Sequence, residues 1–302
     1  MWEAFSREEV VEVGREPETV PLAGVFMDAI YELDAGSGEV VWRWRARDHL
    51  IQNVSAELPD FAEPGASPGR IDVNAGQMGV TDWTHLNGID HDPDTDLLVV
   101  SAHGLDELWV IDHGTSTEEA AGPAGDLLYR WGRPANWGGD GQPELYGQHD
   151  PTWLPGGRLM VFDNGMGRPQ GAYSRVVQIE VPFEDGLPAA QTPDDAPLLP
   201  EWIWTAPIPS DLFAPLISGA QRLPGGNTLI TEGPAGRLFE IDADGELVWE
   251  YVSPVLPGGI AEPGEVPGYG QNAVFKVRRY PADGPELDGL DLTPGADLMG
   301  DP

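Results

Sequence analysis

Residues 221–230 have the sequence QRLPGGNTLI, and the segments RLFEID (237–242) and ELVWEY (246–251) follow them. Each segment is short and rich in apolar or β-branched residues, and Gly, Pro, Asn or Asp residues separate it from the next. This pattern predicts four short antiparallel strands joined by tight turns, with a tryptophan on the fourth strand.

The same pattern occurs twice more in the chain. One copy comprises TWLPGGRLMVF (152–162), RVVQIEV (175–181) and EWIW (201–204), and an earlier copy comprises LNGI (86–89), LLVV (97–100), ELWVID (107–112) and DLLYRW (126–131). A four-strand unit that repeats along the chain is typical of a β-propeller blade. A β-sandwich has similar strand spacing but does not repeat the same internal sequence, so the sequence predicts an all-β propeller of four-stranded blades.

The repeat is incomplete at both ends of the chain. The segments 26–34 and 39–45 match only a third and a fourth strand, residues 1–24 are predicted to be irregular, and 272–280 is predicted to be a lone inner strand. The propeller is expected over 25–295, with blades starting near 84, 149, 218 and 271 and a tail at 296–302. Because propellers usually have roughly four to eight blades, about three full blades and two partial ones indicate an incomplete set.

The charge of the chain is strongly negative. It has 51 Asp and Glu residues against 16 Lys and Arg residues, a formal net charge of −35, and Lys276 is its single lysine. The acidic residues are spread between apolar strands, which favours a hydrated surface adapted to high salt over a disordered tail. Calcium binding by the turn 242–246 (DADGE) is the weaker alternative, since this is also an ordinary hairpin turn. A nucleic-acid partner is excluded because no basic face can form.

Other classes are limited by what the sequence lacks. It has no cysteine, and therefore no disulfide, thiolate metal site or cysteine nucleophile. It has no apolar run long enough for a transmembrane helix, and its charged N-terminus does not resemble a signal peptide.

Polar residues recur where each predicted inner strand begins and in the loops between second and third strands. Propeller topology brings these positions to one surface near the axis, here called the polar face. Four of the six histidines are predicted there, whereas His91 and His113 are predicted in turns elsewhere. The residues predicted to bind a ligand on the polar face are His49, His85, Asn87, His103, His149, Asn164, Arg168, Gln221 and Arg222.

Imidazoles, amides and an arginine with few carboxylates suit an anion better than a metal ion. A three-histidine zinc site is the alternative, but no His-x-His spacing accompanies these residues. No metal site and no cofactor are therefore predicted.

The polar-face motifs resemble those of the arylsulfotransferase (aryl-sulfate sulfotransferase) family. The resemblance covers about residues 25–295 and rests on WTHLN (83–87), GQHD (147–150), FDNG (162–165) with Arg168, YSR (173–175) and SGAQRLPGGNTL (218–229). It implies a six-bladed family fold and the transfer of a sulfuryl group from an aryl sulfate to a phenol, through a transient sulfohistidine and without a nucleotide donor. His149 and His85 would hold the sulfonate and Arg168 would neutralise it, while Arg175 fits a structural role. The small-molecule partner would be an aryl sulfate or a phenol, and the family tends to act outside the cytoplasm.

The sequence departs from the family pattern in one important way. The resemblance implies that the sulfated histidine lies in a later blade, but the chain has no histidine after His149, and Gln221 occupies the equivalent position. His103 also stands where the family tends to have arginine. Either His149, His85 or His103 is then the nucleophile, or the chain is a binding or structural propeller without this chemistry. A quinoprotein-like propeller, indicated by DAGSGEVVW (34–42), is a lesser alternative.

Overall fold

The structure, a computed structural model, describes residues 1–195, 198–262 and 264–293. The predicted tail at 296–302 lies outside the described residues. The helices among the described residues are α1 (Arg7–Glu12), α2 (Thr117–Ala120) and short 3-10 turns. Each α-helix begins with a capping box, Ser6 with Glu9 and Ser116 with Glu119, which satisfies the free N–H groups of the first turn.

The other regular elements are β-strands, and the all-β prediction is confirmed. The strands are β1 (Trp2–Phe5), β2 (Val25–Leu33), β3 (Val40–Arg45), β4 (Leu50–Ile51), β5 (Ile71–Asp72), β6 (Leu86–Asp92), β7 (Leu97–Ala102), β8 (Glu107–Asp112), β9 (Tyr129–Trp131), β10 (His149–Leu154), β11 (Arg158–Asp163), β12 (Arg175–Glu180), β13 (Phe183–Glu184), β14 (Leu187–Pro188), β15 (Trp202–Trp204), β16 (Gly219–Arg222), β17 (Thr228–Glu232), β18 (Arg237–Ile241), β19 (Leu247–Val252), β20 (Val255–Leu256) and β21 (Gly259–Ile260).

Three sheets of the described residues are four-stranded, in the orders β6-β7-β8-β9, β10-β11-β12-β15 and β16-β17-β18-β19. In each of them the last strand carries a tryptophan, as predicted: Trp131, Trp202 with Trp204, and Trp249. Sequential strands that pair as a meander and end on an aromatic-bearing strand are blades of a β-propeller.

The N-terminal segment differs from the prediction. Residues 1–24 were expected to be irregular, but β1 pairs antiparallel with β2, from Trp2 opposite Asp28 to Phe5 opposite Val25. The first sheet is therefore three-stranded, in the order β1-β2-β3. The Trp2 ring stacks on Phe26 with centroids 4.2 Å apart, and this aromatic contact favours the pairing.

The prediction of an inner strand at 272–280 is also wrong, since no strand is assigned there. Side chains of β16 and β17 take the hydrogen bonds that a ladder would use. Gln221 Oε1 accepts the Arg279 backbone N–H at 2.7 Å, and Thr231 Oγ1 accepts that of Val277 at 3.2 Å. Backbone groups satisfied by side chains have no need of a neighbouring strand.

The chain forms two compact units, Met1–Leu159 with Gln178–Trp202, and Met160–Val177 with the described part of Ile203–Pro302. In the first unit, fully buried Trp44, Trp83 and Trp109 belong to a single hydrophobic core. Trp44 and Trp109 meet edge to face with ring centroids 6.3 Å apart, a favourable aromatic arrangement.

Inner strands β6 and β10 lie side by side in the first unit. Trp153 of β10 donates its backbone N–H to Asp90 Oδ2 of β6 at 2.7 Å. A Cβ atom on Gly88 would lie only 2.6 Å from Pro151 Cδ, so glycine is required where the two strands approach. This approach brings the starts of the two strands, and the histidines there, close together.

Candidate functional site

Three histidines of the first unit meet at one place. The His103 ring centroid is 4.6 Å from that of His85 and 5.3 Å from that of His149. His85 immediately precedes β6, His103 follows β7, and His149 begins β10. We call these three residues the histidine cluster.

A buried carboxylate of the first sheet holds the segment that carries His85. Asp28 Oδ2 accepts the Thr84 hydroxyl at 2.7 Å and the Leu86 backbone N–H at 2.9 Å. Thr84 Oγ1 in turn accepts the Asp28 backbone N–H at 2.8 Å. Between these anchors His85 adopts a left-handed conformation with φ 45°, which is uncommon for a residue with a side chain and is tolerated where surrounding contacts fix it.

The loop after β7 is bonded directly to the same segment. The backbone N–H groups of His103 and Gly104 donate to the carbonyl oxygens of His85 and Thr84, each at 3.2 Å. A Cβ atom on residue 104 would lie 1.8 Å from Trp83 O, so this closeness requires a glycine. The two bonds place the His103 ring beside that of His85.

The segment before β10 is held by groups of the preceding sheet. Gly147 donates its backbone N–H to Asp106 Oδ1 at 2.8 Å, and fully buried Gln148 donates to Ser101 Oγ at 3.1 Å. Half-buried Asn87 donates to Gln148 O at 2.9 Å. Asn87 was predicted to bind a ligand, and its amide here fixes the backbone next to His149.

Hydrogen bonds at Nδ1 orient two of the three rings. His85 Nδ1 is 2.7 Å from Asp82 Oδ2, and His149 Nδ1 is 3.3 Å from Gly147 O. An imidazole that donates from Nδ1 keeps a lone pair on Nε2. The side chain of His85 is 42% exposed, whereas His149 as a residue is only 5% exposed. His85 is therefore the more accessible imidazole of the two.

Burial and the two neighbouring imidazoles keep His103 neutral. Burial, followed by the charges of His85 and His149, lowers the pKa of His103 to about 3. A neutral imidazole can donate one hydrogen bond without adding positive charge between two other histidines.

The histidine cluster is not arranged as a closed metal site. In the part of the chain that the structure describes, the one group of three or more ligand atoms lying within 4.8 Å of one another is His91, Asp96 and His113. The three imidazoles of the cluster lack this spacing, which argues against the three-histidine zinc alternative.

His49 was predicted on the polar face but lies in the core. It is fully buried, and its ring stacks on Trp44 at 5.1 Å with an interplanar angle of 5°. Nδ1 bonds Asp126 Oδ1 at 2.9 Å and Nε2 bonds Ala120 O at 3.0 Å. With both nitrogens engaged in the interior, His49 has a structural role.

Three other predicted ligand-binding residues belong to the second unit and make structural contacts there. Fully buried Asn164 donates to Ala214 O at 2.7 Å and to Ile217 O at 2.9 Å. The Gln221 amide bonds both backbone groups of Arg279, and Arg222 Nη1 donates to Gly226 O at 3.2 Å. The amide groups of Asn164 and Gln221 therefore bind backbone atoms in the structure.

Arg168 also lies in the second unit and has a carboxylate partner. Its Nη2 donates to Asp163 Oδ2 at 2.7 Å, and its guanidinium lies over the Tyr173 ring at 4.6 Å. Arg175 Nε donates to the same carboxylate oxygen at 2.8 Å. The Arg168 side chain is only 3% exposed, so Asp163 and Tyr173 fix its orientation.

Two carboxylates that position the cluster, Asp28 and Asp82, were not among the predicted site residues. Asp82 lies three residues before His85, a spacing that could have indicated the pair. Asp28 lies in a different sheet, and no local signal identifies it.

A cavity of about 300 Å³ lies elsewhere in the first unit, lined by aromatic residues that include Trp131 and Trp137. None of the three clustered histidines lines it. An aryl group bound in this cavity would not meet the imidazoles.

No helix in the described ranges is long and apolar enough to cross a membrane.

The family model described as arylsulfotransferase (ASST) matches residues 15–186, more than half of the chain. This range contains the whole histidine cluster with Asp28 and Asp82. No curated protein matches the chain.

Several solved structures are similar at low sequence identity. Virginiamycin B lyase from Staphylococcus aureus is 16% identical, with 58% of this chain and 43% of that chain covered and a TM-score of 0.33. BamB from Moraxella catarrhalis is 10% identical, with 84% and 50% covered and a TM-score of 0.35. The PQQ-bound aldose sugar dehydrogenase from Streptomyces coelicolor is 12% identical, with 66% and 51% covered and a TM-score of 0.33.

The alignment with a streptogramin B lyase structure covers 42% of that chain, so this chain spans less than half of its length. The four-stranded blades and the family match together identify the fold as an all-β propeller. The chain belongs to the arylsulfotransferase family.

Proposed function

We propose that the chain transfers a sulfuryl group from an aryl sulfate to a phenol through the histidine cluster, with His85 as the nucleophile. The observation that carries the proposal is the pair formed by His85 Nδ1 and Asp82 Oδ2 at 2.7 Å, next to the neutral His103 ring. A carboxylate that holds Nδ1 fixes the tautomer and directs a lone pair from Nε2, as in other histidine-dependent sites.

The first step forms a bond from His85 Nε2 to sulfur. The sulfur–oxygen bond to the aryl group breaks, and the phenolate leaves with the electron pair. The imidazole ring then carries SO₃⁻ on Nε2 and a proton on Nδ1, so the ring itself is positively charged. Asp82 stabilises this charge from 2.7 Å. In the second step an acceptor phenol loses its proton to solvent and attacks sulfur, and the nitrogen–sulfur bond breaks to restore the neutral ring.

The other two histidines contribute to the binding of the transferred group. With its low pKa, His103 is a poor base but remains a neutral N–H donor to a sulfonate oxygen over the working pH range. His149 supports the His103 ring in this scheme, because the two ring centroids lie 5.3 Å apart and His149 is almost fully buried.

Choosing His85 as the nucleophile changes the order in which the sequence analysis named the candidate histidines. The resemblance gave His149 and His85 the same role, but His149 Nδ1 bonds Gly147 O and the residue has little accessible surface. An aryl sulfate from solvent can reach His85 first.

The proposal is tested by turnover of p-nitrophenyl sulfate with a phenol acceptor at high salt. We expect His85→Ala to lose turnover by at least about a hundredfold, and His149→Ala and His103→Ala to lose about tenfold or more. Asp94→Asn is the matched control, because Asp94 is an exposed carboxylate in the turn after β6. Wild-type rates in His85→Ala would overturn the assignment. Absence of turnover in the wild-type chain, together with retained aryl-sulfate binding, would favour the binding-propeller alternative.

A further inference from the structure

His91, Asp96 and His113 form a second cluster in the first unit, separate from the histidine cluster. Asp96 Oδ1 is 2.9 Å from His91 Nε2 and 2.8 Å from His113 Nδ1. One ligand atom from each of the three residues lies within 4.8 Å of the other two. Two imidazole nitrogens and a carboxylate oxygen therefore converge on a volume the size of an ion.

All three residues come from one blade. His91 lies near the end of β6, Asp96 ends the turn into β7 in a left-handed conformation with φ 55°, and His113 follows β8. The His113 backbone N–H donates to Asp96 O at 3.1 Å, which joins the two loops directly. Ligands built on neighbouring strands of one sheet need little rearrangement to bind.

Groups from the first sheet support His113 from its other side. Glu32 Oε2 of β2 is 3.3 Å from His113 Nε2, and the Trp42 ring of β3 meets the imidazole edge to face at 4.7 Å. A histidine that binds a metal through one nitrogen and donates its other N–H to a carboxylate is the common arrangement in metal sites. Glu32 and Trp42 therefore fix the rotamer that presents Nδ1 toward Asp96.

We propose that His91, Asp96 and His113 bind a divalent transition-metal ion of the zinc class, with Glu32 as the carboxylate that orients His113. Two imidazoles and one carboxylate are ligands that Zn²⁺, Co²⁺, Ni²⁺ and Cu²⁺ accept, whereas Mg²⁺ and Ca²⁺ favour sites made of oxygen atoms. His91 and Asp96 are about half exposed, so solvent fills the remaining coordination positions. The ion joins the loops of one blade to β2.

In the metal-free site, the hydrogen bonds to Asp96 place protons on His91 Nε2 and His113 Nδ1. The ion takes the lone pairs of these nitrogens, so each proton moves to the other ring nitrogen. On His113 that nitrogen is Nε2, where Glu32 accepts the hydrogen bond. Metal affinity falls at low pH because protonated imidazoles offer no lone pair.

The test is calorimetric titration of the whole chain with Zn²⁺ in excess Mg²⁺, since Mg²⁺ saturates the many surface carboxylates. We expect one bound Zn²⁺ per chain, and loss of this binding in His91→Ala, Asp96→Asn and His113→Ala. Glu32→Gln should weaken binding by about tenfold while the stoichiometry is kept. His103→Ala is the control, because it removes a histidine from the other cluster and should leave the binding intact. Far-UV circular dichroism establishes that each variant is folded.

Trp42 provides an independent readout. Cu²⁺ bound to His113 lies close to the Trp42 ring and should quench part of the tryptophan fluorescence, and this part should be missing in Trp42→Phe. No stoichiometric Zn²⁺ binding by the wild type, binding that survives in His91→Ala and Asp96→Asn, or binding abolished by His103→Ala would each overturn the proposal. If His113→Ala fails to fold, the exposed variants His91→Ala and Asp96→Asn decide the outcome.

Discussion

His85 and His103 are joined twice, since their ring centroids are 4.6 Å apart and the His103 backbone N–H donates to His85 O at 3.2 Å. The backbone bond fixes the loop after β7 against the start of β6, and the ring contact follows from it. His85, an accessible imidazole paired with the Asp82 carboxylate, therefore lies against His103, a buried imidazole that stays neutral.

Asp82→Asn should slow sulfuryl transfer by about tenfold to a hundredfold. The amide retains the shape of the side chain but cannot stabilise the positive ring of sulfated His85. The loss should be in kcat with little change in KM, because the charge develops only during reaction. Steady-state kinetics with an aryl sulfate measure both constants. Equal losses in Asp82→Asn and in the exposed control Asp94→Asn would contradict the role of Asp82.

Acidification should destabilise the fold through His103. Its folded pKa of about 3 lies below the ordinary value of 6.5, so between these pH values the unfolded chain binds a proton that the folded chain excludes. This residue's contribution to the free energy of unfolding falls as the pH falls through that window, by up to about 1.4 kcal/mol per pH unit. Denaturant unfolding of the wild type and of His103→Gln should be measured at several pH values. The free energy of unfolding should depend less steeply on pH in the variant. An identical pH dependence in both proteins would contradict the low pKa.

Asp28→Ala should lower the free energy of unfolding by about 1–3 kcal/mol, because it leaves the Thr84 hydroxyl and the Leu86 N–H without their acceptor. Turnover should also fall in the molecules that remain folded, since His85 lies between the two anchored residues. Urea unfolding and kinetics on the same preparation separate the two effects. A loss of stability with an unchanged kcat would show that the anchor does not position His85.

His49→Ala should destabilise the fold by about 2–4 kcal/mol, since it removes the stack on Trp44 and the imidazole hydrogen bonds to Asp126 Oδ1 and Ala120 O. Turnover per folded molecule should be unchanged, because His49 lies in the core away from the cluster. Thermal unfolding together with active-site-normalised kinetics measures both. Loss of turnover in the folded variant would show that His49 contributes to the reaction, and would contradict its purely structural role.

Raising the salt concentration should raise Tm. The formal charge of −35 repels itself at low ionic strength, and salt shortens the range of this repulsion. Thermal unfolding in increasing NaCl, with a neutral osmolyte as the control, measures the effect. A Tm that does not depend on salt would contradict a surface adapted to high salt.

The repeat made the strands predictable because local pattern and turn chemistry decide them. The alternation in QRLPGGNTLI (221–230) was sufficient to identify the hairpin of β16 and β17. The segment 272–280 has an equally apolar pattern, yet the side chains of Gln221 and Thr231 take its backbone bonds. Such competition depends on residues distant in sequence, and periodicity cannot reveal it.

The candidate site was predictable only for residues whose position in the blade repeat decides where they lie in the fold. His85 and His149 lie at the starts of equivalent inner strands, His103 lies in the loop after β7, and the three meet in the structure. His49 follows an outer strand, and the pattern could not show that its ring would stack on Trp44 in the core. Asp28 was not predictable, because only the packing of β2 brings its carboxylate to Thr84.

The most direct test of the account is a single-turnover reaction with an aryl sulfate in the absence of acceptor, followed by alkaline quenching and peptide mass mapping. The account predicts one added SO₃ group per chain on the peptide that contains His85, and its disappearance when a phenol is added before the quench. Release of phenol without any protein adduct, or an adduct that maps outside His85, would contradict it.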